Sequence, residues 1–374
     1  MRNLIVISRV RPQQTRPKLQ GQGLAQHLLV APGIGHTSVM QWTPAILYRQ
    51  SGDRVQCLVC PIGCRLMNGQ TGWCHVRRRT GDSMETATFA SSVRHFDAVE
   101  RKPLYHFRPG TRILTLAAPG CTFRCTYCIN HRMSQYGRED DVPWTASAVD
   151  PAEIVAMAEA EGAGVGLSYT EPSLAIELTK ALARCGKAAG VPIVWKTNGF
   201  LTAEAADAVM PSLAAANIDL KAADEDAHRR LTGAPLGPVL ATLREFAENG
   251  IWVEVCTPVI PGVNAEPAQL ARMAGQLAAI SPDIPWHLLR WTPGFRLKDG
   301  DPTSPAALSE AVAIGRQAGL NYVYVERALG ADGRATCCPR CHRILVSRAI
   351  WALDSIGLYD GCCPGCGYRV AGRW

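Results

Sequence analysis

Residues 111–128 read Thr111-Arg112-Ile113-Leu114-Thr115-Leu116-Ala117-Ala118-Pro119-Gly120-Cys121-Thr122-Phe123-Arg124-Cys125-Thr126-Tyr127-Cys128. An apolar run stops at a Pro-Gly turn, and three cysteines follow at C-x3-C-x2-C spacing. Three thiolates on one short loop can ligate three irons of a [4Fe–4S] cubane and leave the fourth iron without a protein ligand. An open iron can chelate the amino and carboxylate groups of S-adenosylmethionine (SAM). One electron from the cluster then yields a 5′-deoxyadenosyl radical, and the protein supplies orientation and dryness. Tyr127, just before the last cysteine, is placed to cover the adenine. The competing reading is a zinc site that takes His131 as its fourth ligand. The position of the loop after the first strand of a βα series favours the cluster.

Outward from this loop the chain alternates. Strand-like apolar runs occupy residues 112–118, 165–169, 192–197, 217–221, 252–260 and 286–291, with a seventh at 322–326. Helical stretches lie between them, at about 173–189, 202–214, 236–249, 267–280 and 305–318, and another opens at Asp150-Pro151 with an acid cap and a first-turn proline. This alternation predicts right-handed βαβ units on a parallel sheet. The expected fold is α/β, a partial (β/α)6 TIM-like barrel over residues 111–329. Function should gather at the C-terminal ends of its strands.

Polar residues stand at those ends. Glu171 follows the second strand, Thr197 and Asn198 the third, and Asp219 and Lys221 close the fourth. Each alone reads as a turn or a solvated charge. Their recurrence at successive strand ends points to a shared ligand, with Glu171 and nearby carbonyls positioned for the SAM ammonium.

The chain has fifteen cysteines, and all but Cys185 and Cys256 fall in clusters. Cys57, Cys60, Cys64 and Cys74 belong to a Gly- and Arg-rich module over residues 40–110. Four thiolates suit structural zinc or a second Fe–S cluster, and spacing does not choose between them. His75 beside them reads as a supporting group. Residues 330–374 form a short tail in which Cys338, Cys341, Cys363 and Cys366 make two C-P-x-C knuckles. This is a zinc-ribbon-like pattern, with rubredoxin-type iron as the alternative and Cys337 and Cys362 as competing ligands. A tail this small needs a bound metal to fold.

Clustered C-x2-C pairs without a secretory signal indicate metal chemistry in a reducing compartment, the cytoplasm. No apolar run is long enough to span a membrane. Five basic residues and no acid lie in residues 1–39, so without them the formal charge falls from +7 to +2. Residues 1–39 are read as a disordered or misassigned start, with Met40 opening the ordered sequence, in preference to a targeting segment. Aromatics are 7%, and no basic–aromatic stripe follows residue 39, so nucleic acid is not an expected partner. A non-catalytic Fe–S/zinc scaffold or an RNA-binding module is the reading outside enzymes.

The order of motifs resembles the radical SAM superfamily. Within it the chain is similar to the pyruvate formate-lyase activating enzyme branch and to the radical SAM enzymes of the AmmeMemoRadiSam system. The resemblance runs from about Tyr48 to Trp374. It rests on Cys57-Leu58-Val59-Cys60-Pro61, Lys102-Pro103-Leu104-Tyr105-His106-Phe107-Arg108-Pro109-Gly110, the central cysteines, Tyr169-Thr170-Glu171-Pro172, Thr197-Asn198-Gly199, Asp219-Leu220-Lys221, Val259-Ile260-Pro261-Gly262-Val263-Asn264 and the tail knuckles. It implies a cluster on Cys121, Cys125 and Cys128, and SAM contacts from Glu171, Thr197, Asp219 and Lys221. It also implies an activase-like hydrogen abstraction from a protein or peptide, fed by a flavodoxin or ferredoxin. The alternative is radical modification of a small molecule or peptide with an auxiliary cluster. Three features depart from the family: Ile129-Asn130 replaces Gln-Asn, Glu326-Arg327 replaces Gly-Asn, and the cysteines at 337 and 362 are doubled. The substrate is therefore open.

Four further residues are candidates. His287 reads either as a proton donor or as a hydrogen-bonded residue of a packed strand, and Arg290 faces the other side. Glu254 and Cys256 share a face, and Glu254 is a candidate ligand inside the barrel. Cys185 reads as a helix core residue.

Overall fold

The computed structural model describes residues 40–138 and 143–374, so the expectation for residues 1–39 falls outside the described part. Its centre is an eight-stranded sheet whose strands follow one another in chain order: β1 (Arg94–Ala98), β2 (Arg112–Leu116), β3 (Gly164–Leu167), β4 (Ile193–Thr197), β5 (Ala215–Asp219), β6 (Trp252–Val259), β7 (Trp286–Arg290) and β8 (Val323–Val325). β1 is antiparallel to β2, and every later pair is parallel. The crossovers carry α1 (Pro151–Ala160), α2 (Ile176–Gly186), α3 (Ala203–Val209), α4 (Glu225–Thr232), α5 (Gly237–Glu248), α6 (Pro267–Ala278) and α7 (Pro305–Gln317). Asp150 caps α1 by accepting the Ala152 N–H at 2.8 Å.

This order has no reversal point. Right-handed crossovers made always in one direction put all the helices on one face. The side chains agree. Leu116, Leu167, Trp195, Ile218, Val255 and Leu288 lie in one apolar core with Leu178, Leu243, Leu277 and Leu308 of the helices. Alternation sends Thr115, Lys196, Asn217, Asp219, Glu254, Cys256, His287 and Tyr324 to the other face, which is polar.

The sequence reading needs five adjustments. The sheet reaches back to β1, inside the 40–110 segment. The fourth predicted strand sits two residues earlier, at Ala215–Asp219, so Leu220 and Lys221 extend past the ladder. The helix expected at 173–189 begins as a 3-10 turn, Pro172–Ala175, and ends at Gly186. Helix α4, capped by Asp224, has no counterpart among the helices read from sequence. Cys185 is exposed and is not a core residue. The last turn of α2 presents Gly186 to Val191 instead, where an added Cβ would meet the Val191 side chain at 3.2 Å.

Residues 102–108 cross the polar face and stopper one end of it. The Glu254 carboxylate accepts the Tyr105 N–H at 2.9 Å and the His106 N–H at 2.7 Å, and Asn217 donates to the Pro103 carbonyl at 2.6 Å. The tail seals the same end. Its hairpin, Ile344–Ala349 and Ala352–Ile356, sends Arg348 to the Tyr105 carbonyl at 2.6 Å. Trp351 lies between the guanidinium groups of Arg101, after β1, and Arg327, after β8, each 4.6 Å from the ring centroid. The tail thus joins the two free edges of the sheet. Among the described residues no helix is long and apolar enough to cross a membrane.

Candidate functional site

The loop after β2 carries Cys121, Cys125 and Cys128 at the C-terminal edge of the sheet. Cys125 is buried, and Cys121 and Cys128 are half-buried. The Phe123 N–H points at the Cys121 sulfur at 3.3 Å, and Ser134 Oγ lies 3.3 Å from the Cys128 sulfur. Burial pushes the Cys121 thiol well up, and the Glu171 carboxylate adds to the shift. Burial also raises Cys125 to about 12, against the pull of the Lys221 ammonium. Such thiols ionise only when a metal takes the proton's place.

The donor set fits a cubane and not zinc. His131, the fourth ligand a zinc site would need, stacks on Phe295 with ring centroids 4.2 Å apart and places Nδ1 3.1 Å from the Cys128 carbonyl. Among the described residues only the tail quartet gathers three or more donors within 4.8 Å of one another.

Glu171 organises the next loop. Its carboxylate accepts from Thr197 Oγ1 at 2.6 Å, the Asn198 N–H at 2.8 Å and the Ser173 N–H at 3.0 Å. Asn198 Nδ2 in turn donates to Thr122 Oγ1 at 2.9 Å, beside Cys121. Glu171 is thereby the hub that fixes the β4 loop against the cysteine loop. Tyr169, two residues before Glu171, has φ 68°, rare for a bulky side chain, and its hydroxyl sits 3.3 Å from both His95 and Asp97.

Asp219 and Lys221 pair at 2.8 Å, and Lys196 binds the other Asp219 oxygen. Burial opposes ionisation of Asp219, but the two ammonium groups outweigh it and hold the carboxyl below its usual range. The Lys221 ammonium lies 5.6 Å from the Tyr127 ring, and the buried Tyr127 hydroxyl has no hydrogen-bond partner. An orphaned buried hydroxyl next to the three cysteines marks a place where a ligand is missing a contact. The structure therefore brings Cys121, Cys125, Cys128, Tyr127, Thr197, Asn198, Asp219 and Lys221 to one edge.

It does not bring Glu254 there. Besides its two backbone donors, that carboxylate takes Trp252 Nε1 at 3.0 Å and His287 Nε2 at 2.6 Å, so it is fully occupied within the polar face. His287 is the hydrogen-bonded residue of a packed strand, and Arg290 points away to the Thr303 carbonyl at 2.9 Å. Lys196 was noted only as opening the polar stretch after the third strand, Asn217 only as opening the fourth strand, and Asp97 and Lys102 were given no role of their own by sequence. Alternation along β4 and β5 was the available signal for the first two. Asp97 and Lys102, paired at 2.7 Å, had none.

A family model of the radical SAM superfamily matches residues 116–274. The chain is 31% identical over 332 residues to uncharacterized protein MJ0808 of Methanocaldococcus jannaschii, covering 87% of this chain and 98% of the relative. This chain belongs to the radical SAM superfamily and is a radical SAM enzyme. More distant similarity reaches the isethionate sulfite-lyase activating enzyme of Nitratidesulfovibrio vulgaris, 26% identical over 62% of this chain and 76% of that one. It reaches also the pyruvate formate-lyase-activating enzyme of Staphylococcus epidermidis, 25% identical over 54% of this chain and 88% of that one. The superfamily implies a [4Fe–4S] cluster and SAM, and the tail quartet has the geometry to hold a metal ion.

Proposed function

We propose that this enzyme is activase-like: a hydrogen atom is removed from a protein or peptide after SAM is cleaved at the central cysteines. Cys121, Cys125 and Cys128 would hold a [4Fe–4S] cluster, which would supply the electron for reductive cleavage of SAM. Lys221, Asp219 and the Tyr127 hydroxyl bind and orient SAM beside the cysteine loop. Thr197 and Asn198 border it, and Glu171 acts by holding their loop. The polar face, stoppered at its far end by residues 102–108, keeps water from that side of the site. The observation that carries this reading is the set of three cysteines on one loop, with which no His, Cys or carboxylate donor among the described residues is gathered as a fourth ligand. The named activating enzymes among the relatives support the activase class.

We read the open sheet with its one-sided helices as a partial barrel, and the tail as a zinc ribbon. The paired front and tail cysteine sets favour the AmmeMemoRadiSam type. The electron comes from an external donor of the flavodoxin or ferredoxin class, in a cytoplasmic setting that fits fifteen free cysteines. The test is 5′-deoxyadenosine formation by anaerobically reconstituted protein with SAM and dithionite. Wild type should form it and Cys125→Ala should not. A wild-type protein that has a reducible cluster but forms no product would defeat the proposal.

A further inference from the structure

The front cysteines occupy a place of their own. Cys57, Cys60, Cys64 and Cys74 line one cavity together with Arg77 and Thr122. All four cysteines line this one cavity, yet no three of their sulfurs lie within 4.8 Å of one another. A single tetrahedral ion with Zn–S bonds of about 2.3 Å would draw its sulfurs to roughly 3.8 Å. The tail shows that spacing in the same molecule: Cys338 and Cys366 sulfurs are 3.5 Å apart, and Cys341 and Cys363 sulfurs 3.6 Å apart. The front set is wider. A cubane binds each thiolate on a separate iron and so requires a wider set.

Two further residues that line the cavity bear on its contents. The Trp73 N–H donates to the Cys64 sulfur at 3.3 Å. The Arg77 side chain is 1% exposed, and its Nη atoms are engaged by Glu177 and the Ile46 carbonyl, but its Nε has no partner. A buried guanidinium N–H without an acceptor is costly, and an inorganic sulfide or thiolate in the cavity would satisfy it.

The cavity also abuts the catalytic loop. Thr122, which lines it, follows Cys121 in the chain. Trp73 Nε1 donates to the Thr122 carbonyl at 3.0 Å, and Arg138 bridges the Trp73 carbonyl at 3.0 Å and the Cys121 carbonyl at 2.5 Å. Gly120, at φ 97°, is pressed so close that a Cβ would meet Val76 at 2.9 Å.

We propose that Cys57, Cys60, Cys64 and Cys74 hold a second [4Fe–4S] cluster, fully ligated by protein, against the loop that bears the first. Acid-labile sulfide decides the matter, because neither zinc nor rubredoxin-type iron contains any. Anaerobically purified full-length wild type should carry about eight irons and eight sulfides in cubanes. The Cys121→Ala/Cys125→Ala/Cys128→Ala variant should keep about four of each and an EPR signal on reduction. Cys60→Ser/Cys74→Ser should lose that half and keep the rest. About four sulfides in wild type, with zinc filling the front site, would overturn the proposal. So would a Cys60→Ser/Cys74→Ser protein with an undiminished sulfide content. If the triple variant does not fold, the wild-type sulfide count together with the front variant still decides. The result is independent of SAM cleavage: eight sulfides without 5′-deoxyadenosine would sink the proposed function and leave this cluster standing, and four sulfides with product would do the reverse.

Discussion

Arg77 and Glu177, 100 residues apart in the chain, form a buried ion pair at 2.9 Å that fastens the cysteine-bearing front module to helix α2. Both side chains are almost wholly buried, and Glu177 also accepts the Ile46 N–H at 2.8 Å. Removing one partner leaves an uncompensated buried charge. Glu177→Ala should therefore destabilise the protein by about 3–5 kcal/mol. Chemical denaturation of the two single variants and the double variant measures this. The double variant should be clearly less destabilised than the sum of the singles.

Glu171→Gln tests the hub between the two loops. An acceptor-only carboxylate is replaced by an amide that turns a donor toward Thr197 Oγ1 or the Asn198 N–H. The loop shifts while the cysteines stay. The rate of 5′-deoxyadenosine formation should fall roughly 10²-fold, as a small displacement at a reacting centre costs. Iron content should stay at the wild-type value. Equal loss of iron and activity would mean that Glu171 serves only the cluster loop.

His106 predicts a pH dependence of stability. Its Nδ1 lies 2.6 Å from the Ala371 carbonyl and its Nε2 2.6 Å from the Tyr324 hydroxyl, so the ring is neutral, with the proton on Nδ1. Burial, against the pull of Glu254, pushes its pKa down to about 4. Below its unfolded value near 6.5 the unfolded chain binds a proton that the folded chain refuses. Stability is therefore full above about pH 6.5 and falls as pH drops toward 4, by roughly 3 kcal/mol for this group. His287 and His228, lowered chiefly by burial, act in the same direction. Melting temperatures between pH 7.5 and 4.5 should decline, and His106→Asn should flatten the decline in part.

The tail should depend on its metal. With the quartet empty, the hairpin has only a small core around Tyr105, Tyr324 and Val346 to hold it. Cys363→Ser, or a strong chelator, should free the hairpin and break the Arg348 contact to Tyr105, with a loss of several kcal/mol. Proteolysis within residues 344–356 and elemental analysis for zinc check this together. A tail that resists both treatments would make the metal dispensable.

The cysteine loop was legible because its information is local. Cys121, Cys125 and Cys128 sit on one short loop, and their spacing alone restricts what they can ligate. The α/β alternation was legible for the same reason, since period 2 and period 3.6 are written into short windows. The strand ends were legible as places, and Thr197, Asn198, Asp219 and Lys221 do share one edge. Their duties were less so. Glu171 looked like a ligand and is the hub of a loop. Glu254 looked like a ligand and is consumed by Tyr105 and His106, 149 and 148 residues away.

The sequence by itself thus determined the class of chemistry and the order of strands, because both rest on neighbours in the chain. Tertiary structure decided which carboxylates remain for a ligand, how the tail joins Arg101 to Arg327 through Trp351, and how widely the front sulfurs stand. Those depend on partners brought together by packing, and a buried charge takes whatever donor the fold delivers, at any separation along the chain.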